Sequence, residues 1–403
     1  MLDVAVLMVG SLLAGAAVAE APLLEAQHVF DPAADSHGHV HASCIVVCPN
    51  GDLLAVWYEN GPELPPPYPT TQRDKSADVR IGGARKRAGA DAWDPPFVMH
   101  DTFGVSDNNP CMVVDGEQRL WLVHATLLGV PENTWGSALV QYHVSSDYDG
   151  PGRPNWDKER ILPVHPHGFE KAMMARFEER AKTRKYTDSQ RQKALELARK
   201  RLEDPLKRRL GWMPRAHPLV RSDGAVVVPI ANENYGVAAM AITNDAGDTW
   251  TIGNAVPGTG VIQPTVVEFP DGMLLAFFRT GRADHCILRS ESHDGGMTWS
   301  PLEPTDRIHP GSGLEIVLLG NGHLALVYND KEDDPRDRLA VAISTDRGQT
   351  WPWIRHLENT PGGRFDYPSL VQADDGALHA SYSYNLETIK HVHFNEAWVQ
   401  AGD

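Results

Sequence analysis

Cysteine is scarce in this chain: four in 403 residues, at positions 44, 48, 111 and 286, with no Cys-x-x-Cys spacing. A disulfide-stapled scaffold is therefore excluded. Positive charge is also in deficit, with 37 Lys and Arg against 53 Asp and Glu for a net charge of −16. Such a balance suits neither a nucleic-acid backbone nor an anionic membrane face. Beyond the first 20 positions the sequence has no long apolar run, and nothing there approaches the ~20 residues of a membrane span. With 42% hydrophobic and 22% charged residues, disordered and collagen-like chains are excluded too.

The one long apolar run lies at residues 4–19 and ends in Ala17-Val18-Ala19 before Glu20. This small-x-small ending reads as a secretory signal peptide over 1–19, although Asp3 and no Lys or Arg precedes the run. The expectation is a secreted or periplasmic protein with a mature region of 20–403.

Turn formers and aromatics are plentiful: Gly 35, Pro 30, Trp 11, Tyr 10 and Phe 10. That is the palette of a turn-rich β protein. One pattern recurs, an Asn/Asp-Gly turn followed by an apolar strand. It occurs at Asn50-Gly51, Asp115-Gly116, Asp223-Gly224, Asp271-Gly272, Asn321-Gly322 and Asp375-Gly376. These dipeptides tolerate the positive φ of a tight hairpin. The turn glycines are 65, 108, 48, 50 and 54 residues apart, and the long gap contains a segment of different character. Without it the spacing is a quasi-period of about 50–65 residues, within the range of propeller blades.

A second marker is Ser/Thr-x-Asp-x-Gly-x-Thr-Trp, the Asp box, at Thr243–Trp250, Ser292–Trp299 and Ser344–Trp351. Its Asp bonds local amides, its Gly turns the chain and its Trp packs between sheets. Degenerate copies are expected at Trp93, Trp156 and Trp398. Six hairpins with these markers predict an all-β fold, a six-bladed β-propeller over 20–403. Residues 168–210 interrupt it, rich in Ala, Glu, Lys, Arg and Leu, with a Thr187/Gln190 capping-box pattern and a stop at Asp204-Pro205. They predict a helical hairpin between blades 2 and 3, either a lid or partner arm or a solvated decoration.

In a propeller the innermost strand of each blade begins at the mouth of the central channel. That position holds His41, Asn109, His217, Gln263, Glu315 and Tyr367, four of them before proline. A ring of convergent polar groups in a concavity is the pattern of a binding site. The second strands end at Glu59, His124, Asn232-Glu233-Asn234, Arg279, Asn329 and Tyr384, toward the same face.

Asp boxes on a six-bladed propeller resemble the sialidase (neuraminidase) superfamily and its BNR-repeat relatives, over nearly the whole mature region except the insert. The resemblance implies an arginine triad for a substrate carboxylate, an Asp acid/base and a Tyr nucleophile paired with Glu. By position it implies Tyr367, in Tyr367-Pro368-Ser369-Leu370, as the nucleophile. It implies Asp78, in the Arg73–Asp78 segment, as the acid/base. Arg279 or Arg282, together with Arg336, are the implied carboxylate ligands, with Arg73 beside them. Two positions depart from the family: the first arginine's slot is His41, and the slot of the glutamate that pairs with tyrosine is Gln263, which cannot take a phenol proton.

Three readings stay open. A glycoside hydrolase acting on a terminal acidic sugar, sialic or uronic, would use Asp78 as acid and Tyr367, or water held by Glu315 or His41, as the other half. A polysaccharide lyase would use His41 or Tyr367 in β-elimination from a uronide. A non-catalytic propeller would bind a glycan or a protein. The expected partner is a carbohydrate, with no cofactor. His37, His39 and His41 alternate at a spacing at which imidazoles could share a metal, but no second ligand cluster accompanies them, so no metal is expected.

Overall fold

A computed structural model describes residues 21–34, 38–71, 73–130, 135–281 and 284–403. The expected signal peptide, His37 and Arg282 lie outside the described residues. Six antiparallel sheets are arranged as the blades of a propeller. Their inner strands are His41–Val47, Ser106–Val114, Leu219–Val220, Val261–Glu268, Glu315–Leu318 and Phe365–Gln372. Blades 1, 2, 4 and 5 follow the chain as simple four-stranded meanders. In blade 3 both Trp212–Met213 and Leu219–Val220 pair with Val226–Asn232. Blade 6 takes its outermost strand from the start of the chain, where Leu24–His28 pairs along its length with Lys390–Phe394. The first and last segments thus share one sheet, which closes the ring and leaves no blade unpaired at the seam.

Each blade packs its apolar face against the next. Three boxes reinforce these junctions. Asp245, Asp294 and Asp346 each accept the amide four residues ahead, from Thr249, Thr298 and Thr350, at 2.8 Å. The leading hydroxyls of Thr243, Ser292 and Ser344 take the glycine amides at 2.9–3.0 Å. Trp299 and Trp351 are buried in the blade 3/4 and blade 4/5 cores. Trp398 is not a box residue: it sits in a C-terminal helix, Glu396–Gln400, under the Arg355 guanidinium at 4.4 Å.

The insert forms α1 (Phe169–Thr183), α2 (Asp188–Glu203) and a short α3 (Pro205–Arg209). The Thr187/Gln190 capping box starts α2, and Asp204 ends it and caps α3. Phe169, Met173 and Leu202 are buried with Trp212 in the blade 2/3 core, so the hairpin is anchored at its base and solvated along its outer face.

Two residues of the expected polar ring instead brace the channel. His217 of blade 3 gives its main-chain N–H and Nδ1 to Glu315 Oε1 of blade 5 at 2.7 and 2.8 Å. Its Nε2 meets the Ile45 carbonyl of blade 1 at 2.8 Å. Glu315 Oε2 accepts the Leu370 amide of blade 6 at 2.9 Å. One ion pair therefore ties four inner strands together across the axis. Burial opposes both charges, but His217 is held above its usual value by Cys44 and Glu315, and Glu315 below its own by His217. Breaking such a buried pair from one side strands the other charge, so Glu315→Ala should cost about 3–5 kcal/mol in denaturant unfolding. The His217 share of that difference is complete below pH 6.5 and fades as pH rises through its raised folded value. The Glu315 share is complete above pH 4.5 and fades as pH falls through its lowered folded value. A difference under about 1 kcal/mol, the value of an exposed pair, between those limits would show that the brace is not structural.

Candidate functional site

Four inner strands break register at the same point. The ladder shifts between His41 and Cys44, Asn108 and Cys111, Ile262 and Pro264, and Asp366 and Ser369. The residue inside each bulge has positive φ: Ala42 at 55°, Asn109 at 50°, Gln263 at 49° and Tyr367 at 50°. A non-glycine residue there costs about 1–3 kcal/mol, and a bulge re-aims its side chain. In three of the four the next residue is proline, which needs no ladder donor. Blade 1 is offset by one from the sequence expectation: its bulged residue is Ala42, with His41 just before it.

The bulges at Gln263 and Tyr367 bring those side chains together. Arg279 Nη1 donates to the Tyr367 hydroxyl at 2.7 Å and to Gln263 Oε1 at 3.1 Å. Gln263 Nε2 donates to the same hydroxyl at 3.4 Å. The guanidinium of Arg215 lies 5.0 Å from the Tyr367 ring centre, with Arg279 at 5.7 Å and Arg336 at 5.8 Å. Three cations from three different blades therefore surround one phenol. Burial raises the cost of a phenolate, but Arg279 and Arg336 outweigh it and hold the Tyr367 phenol below its usual value.

Neighbouring groups fix this cluster. Asp366 accepts from Arg336 Nη1 at 2.7 Å and pairs with Arg364. Burial opposes the Asp366 charge, but Arg336 and Arg364 keep its carboxyl below the usual range. Arg215 donates to the Pro368 carbonyl at 3.1 Å. His41 meets the Tyr367 ring edge-on at 4.5 Å and Tyr58 at 5.5 Å, and its Nδ1 bonds Ser383 Oγ at 3.0 Å. Burial holds His41 well below its usual value, so it is neutral. Gly313 backs the tyrosine: a Cβ there would fall 2.7 Å from Tyr367 Cδ1.

Of the expected residues, Tyr367, Gln263, Arg279, Arg336 and His41 converge. Glu59 does not face them: it accepts from Trp57 Nε1 at 2.6 Å and pairs with Arg80 at 3.0 Å. Asn109 reaches Met213 Sδ at 3.6 Å, and His217 and Glu315 are engaged in the brace. Asp78 is buried, bonded by Ser76 and by Asn60 at 3.3 Å, with Asp101 in its field. On the same segment, exposed Arg73 and half-buried Asp74 lie within electrostatic reach of His39, and Asp74 also of Tyr58. Sequence reasoning missed Arg215, Asp366, Arg364 and Asp74. Asp366 and Asp74 were each one position from an expected residue, Tyr367 and Arg73, whereas Arg215 carried no motif.

A profile described as a BNR repeat-like domain matches residues 178–380, just over half of the chain. The anhydrosialidase of Macrobdella decora is 26% identical over 178 residues, 40% of this chain and 23% of that protein. The sialidase of Clostridium perfringens is 31% identical over 152 residues, 33% of this chain and 39% of that protein. The chain thus matches well under half the length of these two relatives. Among solved structures, a Hadza microbial sialidase superposes with a TM-score of 0.68 at 16% identity, covering 93% of this chain and 69% of that one. An intramolecular trans-sialidase from Ruminococcus gnavus does so at 0.65 and 13% identity, covering 91% and 97%. At such identities the structures speak for the fold, a sialidase-type propeller.

The arginine cluster predicts an early-ionising tyrosine. In ultraviolet difference titration, wild type minus Tyr367→Phe should show one phenol ionising below the ordinary value of about 10. Arg279→Met should move that ionisation upward. An ionisation at or above 10 in wild type would contradict the electrostatic account.

Proposed function

This chain belongs to the BNR repeat-like domain family, and we propose that it is a sialidase-like glycoside hydrolase removing a terminal acidic sugar, sialic or uronic acid. The observation that carries the reading is the set of three guanidiniums, Arg215, Arg279 and Arg336, around the Tyr367 ring, with Arg279 on its hydroxyl. Arginine forks bind a carboxylate bidentately. Arg215, from blade 3, supplies the third cation where the family's first arginine is replaced by His41.

Both Arg279 and Gln263 donate to the phenol oxygen, and donors aimed at an oxygen favour its charged form. Tyr367 is thereby made nucleophilic by charge stabilisation, so Gln263 need not act as a base. The phenolate attacks the anomeric carbon while an acid protonates the leaving oxygen. Water then releases the sugar and the same residue, now a base, takes its proton. The segment Arg73–Asp78 supplies that acid. Asp74, half-buried and in the field of Tyr58, suits it better than Asp78, which is bonded inward to Ser76 and Asn60.

A second reading rests on His41. A buried neutral imidazole beside Tyr367 can accept a proton, as β-elimination from a uronide requires.

A digest of sialosides and uronides, read by mass and by absorbance of unsaturated products, tests these readings. Products that gain one water without absorbance are expected. Tyr367→Phe and Asp74→Asn should each lower turnover by a factor on the order of 10² or more, with Asp78→Asn affecting it less. Arg215→Ala should raise KM more than it lowers kcat. Unsaturated products, lost on His41→Ala, would replace hydrolysis by elimination. No turnover of any acidic glycoside would leave a binding propeller.

A further inference from the structure

A second polar cluster lies at the junction of blades 1 and 2 and takes no part in the chemistry above. His100 ends the outer strand Phe97–His100 of blade 1, and His124 and His143 lie on the second and third strands of blade 2. One ring nitrogen from each falls within 4.8 Å of the other two. His124 Nε2 and His143 Nε2 are 2.9 Å apart, edge to edge in nearly parallel rings tilted by 10°. His124 and His143 are fully buried, and His100 nearly so.

The outward nitrogens face acceptors. His124 Nδ1 is 3.6 Å from Asp107 Oδ1, His143 Nδ1 is 3.3 Å from Glu159 Oε2, and His100 Nε2 is 3.0 Å from Thr102 Oγ1. His100 Nδ1, His124 Nδ1 and His143 Nδ1 are all buried with no hydrogen-bond partner among the described residues. Each ring therefore has one nitrogen turned to an oxygen and one turned to, or available for, the common centre. In metal-bound histidines the second N–H is held by a carboxylate, carbonyl or hydroxyl that fixes the tautomer; here Thr102 holds that of His100, while Asp107 and Glu159 stand close to the outward nitrogens of His124 and His143 without bonding them in the metal-free protein.

We propose that His100, His124 and His143 form a structural zinc site that staples blade 1 to blade 2. The ligands would be Nδ1 of His100 and Nε2 of His124 and His143, with a water completing a tetrahedron. Two nitrogens on a tetrahedral zinc at ~2.0–2.1 Å lie ~3.3 Å apart, so the His124–His143 pair opens by only a few tenths of an ångström to admit the ion. Imidazole ligands with nearby carboxylate suit zinc rather than calcium or magnesium. No net proton is released from the rings on binding: the hydrogen that joins the two Nε2 atoms in the metal-free protein passes to the outward nitrogen of the same ring.

The test uses the full chain, purified without a histidine tag. Plasma mass spectrometry of dialysed protein should find about one zinc per chain. Apo protein prepared with a chelator should melt at a lower temperature and regain its melting point with one equivalent of Zn²⁺. Co²⁺ in its place should give the visible absorption of a tetrahedral site. His143→Gln should lose the stoichiometric metal, and Asp107→Asn should weaken it by about 10–100-fold. If the variants fail to fold, titration of wild-type apo protein with Zn²⁺ and Co²⁺ decides alone. The proposal is overturned if wild type binds neither ion at one equivalent. It is equally overturned if folded His143→Gln binds as tightly as wild type, which would place the metal on surface histidines. In that case Nε2–H···Nε2 bonding between His124 and His143 accounts for the cluster.

Discussion

Everything at the channel mouth depends on a bulge repeated in four inner strands. A regular strand would send alternate side chains to the two faces of its blade and none along the axis. A residue at φ near 50° in blades 1, 2, 4 and 6 interrupts that alternation where the strand begins. In blades 4 and 6 this places Gln263 and Tyr367 in hydrogen-bond range of Arg279. The backbone strain is tolerated because the inner strands are pinned on both sides: Ile45 N–H bonds Ser369 Oγ, and Ile316 N–H bonds Thr265 Oγ1.

Electrostatics then separates two jobs that the sequence pattern merges. Polar residues at the inner-strand starts look alike in one dimension. In the fold, His217 and Glu315 neutralise each other and hold blades together, whereas Arg215, Arg279 and Arg336 gather around the Tyr367 ring. Asp366 is shared between Arg336 and Arg364, Asp334 also pairs with Arg336 at 3.5 Å, and Glu233 lies in the field of Arg279.

Much of this was legible beforehand. The Asn/Asp-Gly turns and Asp boxes mark local geometry that only a few residue types can adopt, so the blades and their number follow from the sequence. Tyr367, Arg279 and Arg336 lie at fixed offsets from those markers. Arg215 does not, because blade 3 begins with two short strands, Trp212–Met213 and Leu219–Val220, rather than one. The surroundings of Asp74 and Asp78 are decided by loop conformation, which no periodicity encodes. The histidines at 100, 124 and 143 were also beyond reach: they meet diagonally across a hairpin and across a blade junction, while the alternating His37, His39 and His41 gave a clearer pattern.

The central claim is that the Tyr367 oxygen, activated by arginines, attacks the sugar. Intact-mass analysis of enzyme quenched during turnover of an acidic glycoside, followed by peptide mapping, tests it most directly. The account predicts a glycosyl adduct on the peptide containing Tyr367, absent from Tyr367→Phe. Turnover with no adduct in wild type, or an adduct that persists in Tyr367→Phe, would contradict it.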